Sequence, residues 1–106
     1  MCGICGAINL EKNNKNLKLK NIEILKKQIA SRGPDANGDW IEREKNIVVA
    51  VHRLATQDSS EKANQPSYSF DKTIVAVMNG EIYNHNSIRN FLKKKKYTFK
   101  TKNDTE

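Results

Sequence analysis

Apolar residues fall in short runs separated by polar turns, and the spacing inside each run predicts its element. Residues 3–10, Gly-Ile-Cys-Gly-Ala-Ile-Asn-Leu, are small and apolar and read as a buried strand. Asn13 to Asn16 interrupt it with a polar turn. From Leu17 to about Ala30, Ile22, Leu25 and Ile29 recur at i, i+3 and i+7 with lysines opposite, which predicts an amphipathic helix. Arg32-Gly33-Pro34-Asp35 ends it, because proline disfavours helix at the residue before it. Residues 38–43 and 46–52 predict two strands joined by the Glu44-Lys45-Asn46 turn. The second is a continuous apolar run of the kind buried on both faces.

Residues 56–72 are polar, contain Gln65-Pro66 and read as a loop with a short strand at Tyr68–Phe70. Thr73 to Met78 form a second apolar strand, running directly into Asn79-Gly80-Glu81-Ile82-Tyr83-Asn84. Ile88, Phe91 and Leu92 predict a short helix closed by Lys93–Lys96, cations that suit a helix C-terminus. Residues 97–101 predict one more strand. With no repeat and no internal boundary, the pattern is a layered α+β or α/β domain whose buried strands are covered by at least two helices. The acidic-polar ending Asn103-Asp104-Thr105-Glu106 reads as a site loop, so the chain is expected to be cut off within a domain.

At 106 residues there is room for at most one small domain. No apolar run is long enough to cross a membrane, and the N-terminus lacks the regions of a secretory signal, so a cytoplasmic protein is expected. The formal charge of +7 raises nucleic-acid binding. The lysines, however, are spread over 12–27 and 93–102 and mixed with asparagines, and no aromatic-basic interleaving is evident. The charge is therefore read as solvated faces, with neither nucleic acid nor membrane as partner.

The two cysteines, Cys2 and Cys5, are spaced C-x-x-C. A redox motif would follow a strand at the start of a helix, and a zinc site would need two more ligands where only the distant His52 and His85 exist. No metal is expected. The alternative is that Cys2 matters by its position. Methionine is removed efficiently before a small residue, which would leave Cys2 with both a thiol and a free α-amine, of pKa about 8.5 and about 7.7–8.0. One residue would then hold a nucleophile and a base poised near neutrality.

Met1-Cys2-Gly3-Ile4-Cys5-Gly6, Arg32-Gly33-Pro34-Asp35, His52-Arg53-Leu54-Ala55, Gln65-Pro66, Asn79-Gly80-Glu81-Ile82-Tyr83-Asn84 and Asp104-Thr105-Glu106 occur in this order. Together they resemble the N-terminal glutaminase domain of glutamine-hydrolysing asparagine synthetases, a class II amidotransferase with an N-terminal nucleophile. The forms after Arg-Gly and before Asn-Gly favour that branch over amidotransferases making glucosamine phosphate or phosphoribosylamine. The resemblance implies an α+β four-layer sandwich, two stacked, mainly antiparallel sheets flanked by helices, with residues 1–106 supplying about its first half.

It also implies roles. Cys2 would attack the side-chain amide of L-glutamine, with Asn79 (side-chain amide) and Gly80 (backbone N–H) as the oxyanion hole. Arg53, beside Leu54, would bind the α-carboxylate, and Glu81 and Asp104 the α-ammonium. Asn-Gly alone is most often a turn, and Arg53 alone a surface ion-pair partner; the roles come from the motifs together. Arg32 and Asp35 would shape the loop beside the nucleophile, and His52 is read as structural.

Cys5 stands where a small apolar residue is usual and is read as a core thiol. Thr56 and Gln57 replace an apolar continuation. No cofactor is implied for this segment, since ATP and Mg belong to a synthetase domain that is absent from it. That domain would be the ammonia-accepting partner, although similar glutaminase domains serve several amide-forming ligases. The alternative to an active glutaminase is a catalytically incompetent fragment or a non-catalytic paralogue. Half a sandwich exposes a sheet face and strand edges. The isolated chain is therefore expected to be poorly soluble or to form a homo-oligomer in size-exclusion chromatography; a monodisperse monomer that unfolds cooperatively would contradict this.

Overall fold

A computed structural model describes residues 1–10 and 19–106. The turn expected at Asn13–Asn16 and the helix start at Leu17 lie outside the described residues. The architecture is α+β, with two antiparallel sheets and two helices, consistent with part of an N-terminal-nucleophile sandwich. Strands β1 (Gly3–Ile8), β2 (Ala36–Glu42) and β3 (Ile47–Arg53) form one sheet in the order β1-β3-β2. The β2–β3 turn closes through Asn46, whose φ of 49° is a left-handed conformation that asparagine tolerates. Strands β4 (Ser67–Tyr68) and β5 (Val75–Ala76) form a separate hairpin.

Pairing on both edges makes β3 the anchor of the larger sheet. The register sets Cys5 opposite Ala50, Ala7 opposite Val48 and Ile41 opposite Val48. These residues share one face, and helix α1 (Leu19–Ile29) covers it through Ile22. Fully burying a side chain such as Val48 contributes about 1.5–3 kcal/mol. The stripe facing the sheet is Ile22, Lys26 and Ile29, while Leu25, expected in the core, is 39% exposed. At about 100° per residue, positions 22, 25 and 29 and positions 22, 26 and 29 each span an arc of roughly 60°, so periodicity does not choose between Leu25 and Lys26. Lys26 takes the middle place by laying its stem along the sheet and carrying its ammonium to Asp39, at 2.7 Å, and Glu23, at 3.2 Å. Cys5 packs against the same cluster, and burial pushes its thiol above the ordinary value, against a smaller lowering by Lys26.

The opposite face has two characters. Ile4 and Ile8 of β1 are exposed, Ile8 by 63%. On β3, by contrast, Val51, which pairs with Ile4, and Arg53 are buried, and the Gln65–Pro66 segment lies against Gly38 of β2. A Cβ at Gly38 would come within 2.2 Å of the Gln65 carbonyl oxygen, and one at Gly33 within 2.2 Å of the His52 carbonyl oxygen. Both glycines are places where one stretch of backbone closes onto another.

Three expectations change. Of Thr73–Met78 only Val75–Ala76 forms a strand, because its partner β4 is two residues long and the Met78 N–H and C=O bond to the Gln65 side chain instead. Residues 97–101 are not a strand: Arg89 takes the Thr101 carbonyl, and the Glu106 carboxylate takes the N–H groups of Lys100 and Thr101. Only α1 of the two helices packs on the larger sheet; α2 (His85–Lys94) buries no residue, and Ile88 and Phe91 remain exposed.

Charge is also more concentrated than its spread of lysines suggests. Residues 85–103 hold seven of the 19 cations and none of the 12 carboxylates, so the other residues balance, twelve against twelve. Cations and rings do interleave there, with the Arg89 guanidinium 4.4 Å from the Phe99 ring centre and the Lys95 ammonium 4.9 Å from that of Phe91.

Gly38→Ala is expected to destabilise the chain by about 1–3 kcal/mol, as overpacking does. Gly80→Ala, whose new Cβ would meet its nearest neighbour at 3.8 Å, should leave the denaturation midpoint almost unmoved. Equal midpoints for the two variants would show that the Gly38–Gln65 approach is not tight in solution.

Candidate active site

Cys2 precedes β1, and the pairing of Gly3 with His52 brings it to the end of β3. Its Sγ accepts the Leu54 N–H at 3.4 Å, and its S–H donates to the Leu54 carbonyl at 3.9 Å. Arg32 Nε donates to the Cys2 carbonyl at 3.3 Å. The Asp35 N–H donates to the Arg53 carbonyl at 3.1 Å, and its carboxylate accepts the Ala55 N–H at 2.7 Å. The Arg-Gly-Pro-Asp loop thus braces both Cys2 and the corner at 53–55 that holds its sulfur.

Arg53 closes β3 at 3% exposure. Its Nη1 donates to Asn64 Oδ1 at 3.0 Å, and its Nη2 to the Asp58 carbonyl. Both acceptors are neutral, and among the described residues no carboxylate forms an ion pair with Arg53. The Asp58 carboxylate is used elsewhere, accepting the N–H groups of Ser60 and Lys102 at 2.9 Å each. Hydrogen bonds from the Ser60 hydroxyl, the Lys102 N–H and the Ser60 N–H hold its pKa at about 2, with a smaller lowering by the Arg53 charge.

Beyond β5 the chain reaches Asn79 and Gly80, both exposed, and then Glu81, whose carboxylate accepts Gln57 Nε2 at 3.1 Å. Asp104 accepts the Ile82 N–H at 2.8 Å. Arg89 on α2 fixes the approach to Asp104 by donating to the carbonyls of Thr101 and Asn103, at 2.7 and 2.8 Å. Cys2, Arg53, Leu54, Asn79, Gly80, Glu81 and Asp104 all line one cavity of about 450 Å³. Every site residue expected from the sequence is therefore brought to a single place. Met1, Tyr83 and Gln65 line it too. No group of three or more His, Cys, Asp or Glu among the described residues is arranged to hold a metal ion, and no described helix is long and apolar enough to cross a membrane.

Gln65, Asn64 and Arg89 are parts of the cavity and its supports that the sequence pattern does not mark. Gln65-Pro66 was visible as a motif, but a residue's pattern gives no sign that a loop glutamine will be buried. Arg89 sits among lysines, and its two carbonyl partners become visible only once α2 and the C-terminal segment are folded.

Chemically, the cavity combines a thiol, a buried guanidinium that makes no direct ion pair among the described residues, two carboxylates and an exposed Asn-Gly pair. The sequence model of the glutamine amidotransferase domain family matches residues 1–106. Over 106 residues the chain is 35% identical to a glutamine-hydrolyzing asparagine synthetase of Sandersonia aurantiaca. It is 37% identical over 106 residues to glutamine-hydrolyzing asparagine synthetase 3 of Arabidopsis thaliana. It is 36% identical over 107 residues to a probable glutamine-hydrolyzing asparagine synthetase of Dictyostelium discoideum. All of the chain is covered in each case, but it spans only 19%, 17% and 18% of those proteins.

The folded-state value of about 2 for Asp58 lies below its ordinary 3.8, so its contribution to stability is full above that value and lost as pH falls through about 2. Denaturation across pH should show wild type more stable than Asp58→Asn by a constant margin at and above about pH 5, shrinking through this window and gone beneath it. A margin that persists at the acid end would mean that the carboxylate charge does not hold the 58–102 contact.

Proposed function

This chain belongs to the glutamine amidotransferase domain family, and we propose that its cavity hydrolyses L-glutamine to glutamate and ammonia through a thioester on Cys2. The ammonia would serve an ATP-dependent ligase domain of the asparagine synthetase type. The observation that carries the reading is Arg53, a buried cation whose two hydrogen-bond acceptors are both neutral, at the wall of the cavity that Cys2 also lines. A substrate α-carboxylate would supply the missing negative charge, and the planar guanidinium favours that geometry. Glu81 and Asp104 each accept one hydrogen bond within the protein and keep acceptor capacity for the substrate ammonium.

With the two ends of the amino acid held in this way, the side-chain amide extends toward the thiol. Once Met1 is removed, the Cys2 α-amine takes the thiol proton as sulfur attacks the amide carbon. The oxyanion that forms accepts hydrogen bonds from the Asn79 amide and the Gly80 N–H. Collapse breaks the C–N bond, and the departing nitrogen takes the proton from the amine and leaves as ammonia. Water, deprotonated by the same amine, then cleaves the thioester to release glutamate and restore the thiol. Nucleophile and base both come from Cys2.

Met1 lines the cavity, so its removal both frees the base and enlarges the space. The second reading, a paralogue or fragment without turnover, predicts the same fold with no chemistry. Intact-mass spectrometry after exposure to a diazoketone analogue of glutamine separates the two. One adduct is expected on chains lacking Met1, none on chains retaining it, and none on Cys2→Ala. Asn79→Ala is expected to slow the reaction roughly a hundred- to a thousandfold. Absence of adduct on the processed wild-type chain would sink the glutaminase reading and leave the silent one.

A further inference from the structure

Gln65 is a polar residue at only 6% exposure, and every hydrogen-bonding atom of its amide is engaged by protein. Its Oε1 accepts the Met78 N–H at 2.6 Å, and its Nε2 donates to the Met78 carbonyl at 3.1 Å and to Thr105 Oγ1 at 3.4 Å. A primary amide has two N–H donors, so both are committed and neither remains for a ligand. Although Gln65 borders the cavity, its chemistry is directed at two backbone segments. Met78 immediately precedes Asn79-Gly80, and Thr105 immediately follows Asp104.

The pair of bonds to Met78 is the pattern one residue of a neighbouring strand would make, N–H to O and O to H–N. β5 ends at Ala76, so the side chain supplies the ladder where the sheet does not. The base of this side chain is itself fixed, since the Gln65 backbone is packed against Gly38 of β2. A contact chain runs from the larger sheet through Gly38 and Gln65 to Met78 on one side and Thr105 on the other.

We propose that Gln65 is the positioning residue of the glutaminase site, holding the oxyanion donors at Asn79 and Gly80 in register with the ammonium-binding Asp104. The inference rests on the glutaminase reading above. Hydrogen-bond donors act on a developing oxyanion only when they are already in place, because a loop that must be ordered during the reaction forfeits much of their effect. The residue bears on the rate of the chemical step more than on capture of the substrate, whose carboxylate is bound at Arg53.

The test compares two reagents at Cys2. The diazoketone glutamine analogue places its carbonyl where the amide carbonyl would lie, whereas iodoacetamide alkylates the thiol with no need of the oxyanion donors. At saturating analogue, Gln65→Leu and Gln65→Glu should each slow adduct formation roughly tenfold to a hundredfold, a partial loss of what removing one donor costs. The iodoacetamide rate should stay near wild type, and the half-saturating concentration should rise by less than the rate falls, because Arg53 still holds the carboxylate. Gln65→Glu carries a further signature. A protonated glutamate at this site has the shape of glutamine and an O–H to donate to the Met78 carbonyl. Its rate relative to wild type, measured at each pH, should therefore climb as pH falls from about 7.5 to about 5.

Wild-type rates in both variants would overturn the proposal, as would a slowed Gln65→Glu whose ratio to wild type is flat with pH. If the leucine variant loses its fold, the glutamate variant still decides. A wild-type chain without Met1 that takes no adduct refutes the glutaminase reading itself, an outcome distinct from a reactive wild type with indifferent Gln65 variants.

Discussion

A guanidinium cannot be dehydrated cheaply, and the burial of Arg53 is the constraint around which this chain is arranged. The cost of removing an ion from water is several kcal/mol even after relaxation. It is offset here by donation to Asn64 and to the Asp58 carbonyl, which draws the 58–64 segment over the end of β3. From that segment Asp58 reaches Lys102, and from the residue after it Gln65 reaches Met78 and Thr105. The loops that line the cavity are therefore organised from the strand that bears the charge. Both groups that accept directly from Arg53 are neutral, and the Asp58 carboxylate feels its charge without bonding to it.

The elements that come from local pattern were the legible ones. The apolar run of β3 and the Glu44–Asn46 turn were evident, because a central strand buried on both faces has no polar alternation to confuse it. The start of β1 was found too, although Ile4 and Ile8 are less buried than an apolar run suggests. The pattern failed where side chains replace backbone as partners. Residues 73–78 and 97–101 have strand-like composition, but Gln65, Arg89 and Glu106 intercept the groups that a ladder would use. The pattern sets the lysines of α1 opposite its apolar stripe, whereas the long apolar stem of Lys26 suits the sheet and its head finds Asp39.

That the expected site residues share one cavity was legible for a different reason. Each stood in a short motif whose neighbours shared its meaning, and folding brings those motifs to one cavity. What the motifs did not disclose is the second layer. Gln65, Asn64 and Arg89 act on backbone atoms distant in sequence, and nothing in a residue's immediate surroundings announces a partner of that kind. The Asp35 carboxylate on the Ala55 N–H belongs with them, since it steadies the corner whose Leu54 N–H meets the Cys2 sulfur.

The arrangement of the two cysteines has a consequence for oxidation. Three residues along extended chain separate their Cα atoms by about 10 Å, beyond the roughly 7 Å that a disulfide can span. Cys2 faces the cavity, while Cys5 turns toward α1, into surroundings that keep it a thiol. The pair cannot close on itself while β1 remains a strand. An oxidant reaching Cys2 therefore finds no resolving partner within the strand, and the sulfenic acid it leaves must be reduced by an outside thiol or be carried further to the irreversible sulfinic state.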